Sequence, residues 1–134
     1  MKYLLDTNIC ISIIKKKPEI VIAHLLRNKP GEVAMSSITV AELNYGVAKS
    51  SKPMENAIAL EQFLQPFVVL EFTKADSEYY GGIRATLEKK GTPIGAMDLL
   101  IASHAVSRNL ILVSNNEKEF KRVKGLKIEN WTKR

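Results

Sequence analysis

Three short, continuous apolar runs constrain the fold of this 134-residue chain more than any other feature of its sequence. They are Tyr3-Leu4-Leu5, Phe67-Val68-Val69-Leu70 and Leu110-Ile111-Leu112-Val113. Continuous apolar residues are typical of strands that are buried on both faces, as in a parallel sheet, because strands with one exposed face alternate. Two weaker strands are predicted at residues 32–35 and 126–128. We therefore expect a central parallel sheet of four or five strands.

The segments between these runs have a helical period instead. Apolar residues recur every three or four positions, which predicts seven helices. These helices are expected around residues 9–14, 20–26, 40–47, 53–64, 75–87, 99–106 and 116–122. Strands that alternate with helices indicate an α/β fold with three layers, α/β/α, and right-handed crossovers. At this length we expect residues 1–134 to form one domain.

The charge balance bears on the kind of partner. The chain has 20 Lys and Arg against 14 Asp and Glu, which gives a formal net charge of +6. Such a balance favours polyanionic partners, although a well-solvated surface would explain it equally. The basic residues form two clusters. They are Lys15, Lys16 and Lys17, and then Lys118, Lys121, Arg122, Lys124, Lys127, Lys133 and Arg134.

The cellular compartment is suggested by cysteine content and hydropathy. The single cysteine, Cys10, excludes an internal disulfide and suits a reducing cytoplasm. Asp6 and Asn8 interrupt the apolar start, so no signal peptide is predicted. No apolar run approaches the length of a membrane span. We expect a cytoplasmic protein that does not bind membranes.

Acidic residues follow the predicted strands at three places. Asp6 comes directly after the first strand, and Glu42 lies in the helix after the second. Asp98 lies in the first turn of the helix that precedes the strand near residue 110. In an open parallel sheet, ligands bind beyond the carboxyl ends of the strands. We therefore expect these three acids, from distant parts of the chain, to gather at one edge of the sheet.

Each acid also has a purely structural explanation. Asp6 could cap the first helix, and Asp98 could complement the positive end of its helix. Thr39-Val40-Ala41-Glu42 matches the capping-box pattern, in which the acid reaches back to its own helix start. No basic residue is an obvious partner for any of the three. Carboxylates grouped in this way repel one another, and Mg²⁺ or Mn²⁺, which prefers oxygen ligands, would relieve that repulsion.

Four segments in order along the chain resemble a known family. They are Leu4-Leu5-Asp6-Thr7-Asn8, Ala41-Glu42-Leu43 with Tyr45-Gly46, Ile94-Gly95 with Asp98 and Ile101-Ala102, and Val113-Ser114-Asn115-Asn116 with Phe120. Together they resemble the PIN-domain ribonuclease toxins of the VapC type, and the resemblance runs along nearly the whole chain. It implies a PIN-like fold. It also implies that Asp6, Glu42 and Asp98 are the metal-binding catalytic acids.

The resemblance adds supporting residues to the predicted site. Asn116 stands where many members carry a fourth acid, and an amide is a weaker metal ligand. Ser114 stands where a threonine is common, so its hydroxyl is expected to hold a water molecule or a carboxylate. Thr7 and Arg84 are expected to support the substrate, Arg84 by binding a phosphate. Lysines near the C-terminus could bind phosphates too, although each could equally be only solvated.

The resemblance finally implies an activity and a set of partners. Members are similar in being Mg²⁺-dependent or Mn²⁺-dependent endoribonucleases, the toxins of type II toxin–antitoxin systems that inhibit translation, with tRNA a frequent target. A VapB-type antitoxin, a homodimer and operator DNA bound through the antitoxin are implied as well. We expect hydrolysis by metal-activated water, which leaves a 5′-phosphate and a 3′-hydroxyl. Two alternatives stay open, a non-catalytic module that binds RNA or protein, and a metal-dependent nuclease that acts on DNA.

Overall fold

The computed structural model describes residues 1–29 and 31–133, and its centre is a five-stranded parallel sheet. The strands are β1 (Tyr3–Leu5), β2 (Val33–Ser36), β3 (Val68–Leu70), β4 (Ile111–Val113) and β5 (Ile128–Glu129). Their order across the sheet is β3-β2-β1-β4-β5, and every neighbouring pair is parallel. The predicted parallel sheet is therefore confirmed, with strand ends that differ from the predicted ones by a few residues.

Helices cover both faces of this sheet. They are α1 (Thr7–Lys15), α2 (Glu19–Leu26), α3 (Ser37–Ala48), α4 (Pro53–Leu64), α5 (Lys74–Lys89), α6 (Ala96–Ser107) and α7 (Glu117–Phe120). No helix in the described part of the chain is long and apolar enough to cross a membrane. The side chains of β1 show the layering, because Tyr3 and Leu5 pack into one core and Leu4 packs into the other. The predicted α/β/α arrangement is confirmed.

The two cores draw on different helices. The first core contains buried residues of α1 to α4, among them Ile9, Leu43 and Leu60. The second contains buried residues of α5, α6 and α7, among them Leu87 and Phe120. The sheet is thus packed between a layer formed early in the chain and a layer formed late. The carboxyl edge of the sheet lies between these layers and is reached by helices from both.

The burial predicted for the run at residues 67–70 is wrong. Phe67 lies outside the strand, and Val69 is 41% exposed. The reason is position, since β3 lies at the edge of the sheet and pairs only with β2. An edge strand is covered less completely than a central one, although its sequence is equally apolar.

The capping-box interpretation of Thr39 and Glu42 is also wrong. Helix α3 begins at Ser37, so Thr39 lies within the first turn of the helix and Glu42 lies in the turn that follows. The cap is Ser36, whose Oγ accepts a hydrogen bond from the backbone N–H of Ile38 at 3.0 Å. Glu42 is therefore not needed to complete its own helix.

A capping box does occur at the start of α5, and its buried acid, Asp76, also pairs with the partly exposed Arg108. The Thr73 backbone N–H donates to Asp76 Oδ2 at 2.7 Å. Arg108 follows α6 and donates to both oxygens of Asp76, at 3.0 and 3.1 Å, and the Ser107 hydroxyl donates at 2.6 Å. Burial alone would raise the pKa of Asp76, but these hydrogen bonds outweigh it and hold that pKa well below its usual value. Asp76 thus joins the start of α5 to the end of α6.

Replacing Asp76 by alanine should destabilise the protein by about 2 to 4 kcal/mol, because α5 loses its cap and the partly exposed Arg108 loses its charged hydrogen-bond partner. Because the folded-state pKa is lowered, this stability is present above the ordinary carboxyl pKa of about 4 and is lost as pH falls below it. Chemical denaturation at pH 7 and at low pH measures both effects.

Glu88→Ala is the matched control, since Glu88 pairs with Arg84 at 2.9 Å on the exposed surface of α5. Its loss should cost less than about 1 kcal/mol. Equal losses in the two variants would contradict a special role for the buried pair.

Candidate functional site

The strand order places a crevice between β1 and β4. The chain runs from β1 through β2 to β3 on one side and then returns to form β4 and β5 on the other. Leu5 is in register with Val113, so Asp6 and Ser114, which follow them, are neighbours. The Asp6 backbone N–H donates to the Val113 carbonyl at 3.0 Å. Such switch points at the carboxyl ends of strands are the usual ligand sites of open α/β sheets.

Asp6 lies at this point and does cap the first helix. Its Oδ1 accepts the backbone N–H of Ile9 at 2.8 Å, and its side chain is almost completely buried. The pKa of Asp6 is raised to about 6, chiefly by burial, and the negative charges of Asp98 and Glu42 contribute to this shift. Hydrogen bonds from Ser114 and Ile9 act in the opposite direction but do not cancel the shift. The hydrogen bond of the helix cap therefore does not offset the effect of burial on this carboxylate.

Asp98 approaches the crevice from the first turn of α6. Burial raises its pKa, and the negative charges of Glu119 and Glu42 add to that effect. Among the residues that the structure describes, Asp6, Glu42 and Asp98 form no salt bridge. The three acids thus act electrostatically on one another, and no cation of the described chain compensates them.

Glu42 is hydrogen-bonded to the first residue of α1. The Thr7 hydroxyl donates to Glu42 Oε1 at 2.6 Å, and Thr39 Oγ1 lies 3.3 Å from the same hydroxyl oxygen. Thr7 directly follows Asp6, so this bond holds the acid of α3 beside the acid that follows β1. The hydroxyl of Thr7 thus orients a carboxylate, which is a more indirect form of support than contact with a substrate.

Ser114 and Asn116 lie beside the acids, as their predicted supporting roles require. Ser114 acts on Asp6 as a hydrogen-bonding neighbour that lowers its pKa, and its supporting role stays a prediction. Ser114 Oγ also accepts the backbone N–H of Asn116 at 2.9 Å. The Asn116 amide donates to Glu119 Oε2 at 3.2 Å. The side-chain amide of Asn116 is therefore already hydrogen-bonded to an acid of its own segment, Glu119.

Glu119 is the member of this site that sequence reasoning missed. It lies on α7, and its charge acts on Asp98 more strongly than that of Glu42 does. The available signal was its spacing, because a residue three positions after Asn116 lies on the same helical face. Position 119 thus places a further acid near Asp98, although position 116 carries an amide.

Arg84 has partners of its own on α5, and its predicted contact with a phosphate stays a prediction. Its guanidinium donates to Glu88 at 2.9 Å and to the Tyr80 hydroxyl at 2.8 Å, both on α5. Spacing of four residues along a helix favours this local pairing. Among the C-terminal basic residues, Lys118, Lys121 and Arg122 are exposed around α7. Arg134 lies outside the described residues.

The acids suit a hydrated cation better than a closed metal cage. In the described part of the chain, no three His, Cys, Asp or Glu side chains are arranged so that they could hold a metal ion together. Mg²⁺, however, is usually held by one or two carboxylates and keeps several of its water molecules. All the available donors are hard oxygens. The pKa values of Asp6 and Asp98 are raised chiefly by burial and also by neighbouring acids, and a bound cation would stabilise the ionised forms. That all three acids bind one ion stays a prediction.

Replacing Asp6 by asparagine should stabilise the metal-free protein at pH 7 by up to about 3 kcal/mol, since asparagine also caps helices but carries no charge. Because the folded-state pKa of Asp6 is raised, its protonated form stabilises the fold. That contribution is complete below the ordinary pKa of 3.8 and is lost as pH rises through about 6. Denaturation in chelator at pH 4 and pH 7 should show a gain for Asp6→Asn that appears only at the higher pH.

Glu55→Gln is the control for this experiment, because Glu55 is exposed on α4 and lies 4.0 Å from Lys52. It should show no gain in stability at either pH. A loss of stability at pH 7 in Asp6→Asn would mean that the Asp6 charge is compensated within the fold.

Comparisons with known proteins agree with this arrangement. Residues 3–126 match the PIN domain family. The chain is 48% identical to ribonuclease VapC2 of Rickettsia felis over 134 residues, which cover 99% of this chain and 100% of that relative. It is 45% identical over 132 residues to the tRNA(fMet)-specific endonuclease VapC of Shigella flexneri, which cover 98% and 99% of the two chains.

A solved structure extends the similarity to three dimensions. The chain superposes on a chain of the DNA-bound VapBC of Salmonella typhimurium with a TM-score of 0.93 and 44% identity, covering 98% of each chain. The four segments that carry the acids lie within the matched region. The crevice between β1 and β4, its acids and these similarities together show that the chain belongs to the VapC group of the PIN-domain family.

Proposed function

We propose that this protein is a Mg²⁺-dependent or Mn²⁺-dependent endoribonuclease and the toxin of a type II toxin–antitoxin system. The observation that carries the proposal is the uncompensated cluster of Asp6, Glu42 and Asp98 in the crevice between β1 and β4. Membership of the VapC group supports the nuclease activity, since the relatives compared above are a ribonuclease and a tRNA endonuclease.

Several residues of the chain have distinct roles in the proposed hydrolysis. Asp6 and Asp98 would hold the cation, which when bound polarises a phosphodiester and lowers the pKa of water enough to make it a nucleophile. Ser114 and the Ile9 backbone N–H keep the Asp6 carboxylate in place. Thr7 engages one oxygen of Glu42, which leaves Oε2 available as a further ligand for the same cation. The expected products carry a 5′-phosphate and a 3′-hydroxyl.

We infer that the substrate is tRNA. The Shigella flexneri and Salmonella typhimurium relatives are tRNA(fMet)-specific endonucleases, at 45% and 44% identity over nearly the whole chain. The formal net charge of +6 favours binding of a polyanion. Exposed Lys118, Lys121 and Arg122 follow the segment of Ser114 and Asn116, so they are available to contact phosphates next to the crevice. Cleavage of tRNA would inhibit translation.

We infer further that a VapB-type antitoxin is the protein partner. The Salmonella typhimurium relative forms a VapBC complex that binds DNA, and its toxin chain has the same fold over 98% of its length. By this analogy the partner would control the nuclease, a homodimer would present two sites, and operator DNA would be bound through the antitoxin. The cytoplasm is the compartment where such an RNA substrate and the free Cys10 thiol are both expected.

Asp98→Asn should lower RNA cleavage by at least about a hundredfold, because charge stabilisation at a metal-assisted site is worth several kcal/mol. The assay uses labelled tRNA and a DNA of the same sequence, each with Mg²⁺ and with chelator. Wild-type protein should cut tRNA only with Mg²⁺ and should leave the DNA intact.

Glu55→Gln again serves as the control and should cleave at the wild-type rate, since Glu55 is an exposed acid of α4 remote in sequence from the acid segments. Three outcomes would overturn the proposal. Binding of RNA without cleavage would favour a non-catalytic module, preferential cleavage of DNA would favour a DNA nuclease, and full activity in chelator would exclude the metal.

A further inference from the structure

A buried polar chain lies outside the crevice and joins three helices. It runs from Asp76 through His104 to Ser36, all of which are fully buried. His104 Nδ1 lies 2.8 Å from Ser36 Oγ, and His104 Nε2 lies 3.5 Å from Asp76 Oδ2. Nε2 has no hydrogen-bond partner among the described residues. Burying an imidazole nitrogen without a hydrogen-bond partner costs free energy of folding. A compensating role for His104 is therefore to be expected.

The order of acid, histidine and serine resembles that of a nucleophilic triad, but the geometry excludes this role. Ser36 Oγ already accepts the backbone N–H of Ile38 at 3.0 Å, and no substrate could reach a side chain without solvent exposure. The serine hydroxyl has one hydrogen left to donate, and the acceptor beside it is His104 Nδ1. That assignment leaves the ring hydrogen on Nε2, where it faces the Asp76 carboxylate.

The protonation state agrees with this assignment. Burial, chiefly, lowers the pKa of His104, the Arg108 guanidinium lowers it further, and the Asp76 carboxylate acts in the opposite direction. The ring is therefore neutral at pH 7 and able to accept from Ser36. Asp76 cannot move to meet it, because Arg108, Ser107 and Thr73 occupy its oxygens. Phe72 packs edge-on against the ring, with 5.3 Å between the ring centroids.

The ends of this chain are connected to the acids of the crevice. Ser36 ends β2 and caps α3, the helix that carries Glu42. His104 lies on α6, the helix whose first turn carries Asp98. The contact at 2.8 Å between Ser36 and His104 is therefore a direct polar link between the two helices that present these acids. The ion pair of Asp76 and Arg108 holds the far end of α6 at the same time.

We propose that His104 is a positioning residue that fixes α3 relative to α6 through Ser36, and so sets the separation of Glu42 and Asp98 and the affinity for a divalent cation. Apolar burial is non-directional, whereas a hydrogen bond between buried groups favours one arrangement of the two helices. The inference rests on the proposed function, since it assigns a cause to the geometry of the same site.

The test measures Mn²⁺ binding by electron paramagnetic resonance, together with thermal melting of the metal-free full-length chain. His104→Leu removes both polar contacts at similar volume. His104→Asn keeps an acceptor at the position of Nδ1 but loses the group that faces Asp76. Ser103→Ala is the matched control, because Ser103 is equally buried on α6 but bonds only to the Leu99 carbonyl of its own helix, at 2.6 Å.

His104→Leu should raise the Mn²⁺ dissociation constant roughly tenfold, the scale seen when partners behind metal ligands are lost. His104→Asn should restore it to within about twofold of wild type, even if its melting temperature stays low. Ser103→Ala should change the melting temperature alone. If His104→Leu does not fold, Ser36→Ala replaces it and should raise the constant in the same way.

The contrary results distinguish a failure of the positioning role from a failure of the proposed function. Unchanged Mn²⁺ affinity in His104→Leu, or in Ser36→Ala where it replaces that variant, would overturn the positioning role. So would equal weakening in Ser103→Ala, or failure of His104→Asn to restore binding. Wild-type protein that does not bind Mn²⁺ would overturn the proposed function itself, and this inference with it.

Discussion

Parallel pairing of β1 with β2 on one side and with β4 on the other brings three distant segments to one edge of the sheet. In this register Asp6, Ser36 and Ser114 follow neighbouring strands and lie next to one another. The helices that leave this edge or arrive at it then bring Glu42 and Asp98 to the same crevice. Strand pairing therefore brings acidic side chains close together, although their negative charges repel one another. This electrostatic repulsion is the constraint on which the properties of the crevice depend.

Two nearly or fully buried aspartates show how differently the chain treats such a charge. Both cap helices, and burial disfavours the ionised form of each. Asp76 is surrounded by donors from Arg108, Ser107 and Thr73, and its pKa is low. Asp6 has two donors and two acidic neighbours, and its pKa is high. The first carboxylate is compensated within the fold, while the second has no cationic partner among the described residues. Carboxylates with strongly perturbed pKa values are candidates for functional sites.

Sequence patterns predicted the strands, the layers and the three principal acids, because each depends on local periodicity or on position relative to a strand. Features that depend on tertiary neighbours were not predictable in this way. The exposure of Val69 follows from the sheet order, and the burial of His104 follows from the packing of α6 against β2 and α5. Glu119 was missed although its spacing from Asn116 was a signal, because its effect on Asp98 depends on tertiary packing. The pairing of Arg84 with Glu88 on α5 was not predicted either, and the phosphate contact expected of Arg84 stays a prediction. The match of Thr39 and Glu42 to a capping box failed because α3 begins at Ser37, before that motif.

The proposed nuclease activity requires that the crevice bind a divalent cation through its own carboxylates. Diffraction from crystals grown with Mn²⁺, recorded at the manganese absorption edge, would show whether it does. We expect an anomalous peak in the crevice between β1 and β4, about 2 Å from carboxylate oxygens of Asp6 and Asp98, with water molecules completing the coordination. Manganese bound only elsewhere, or a cationic side chain in that position, would contradict it.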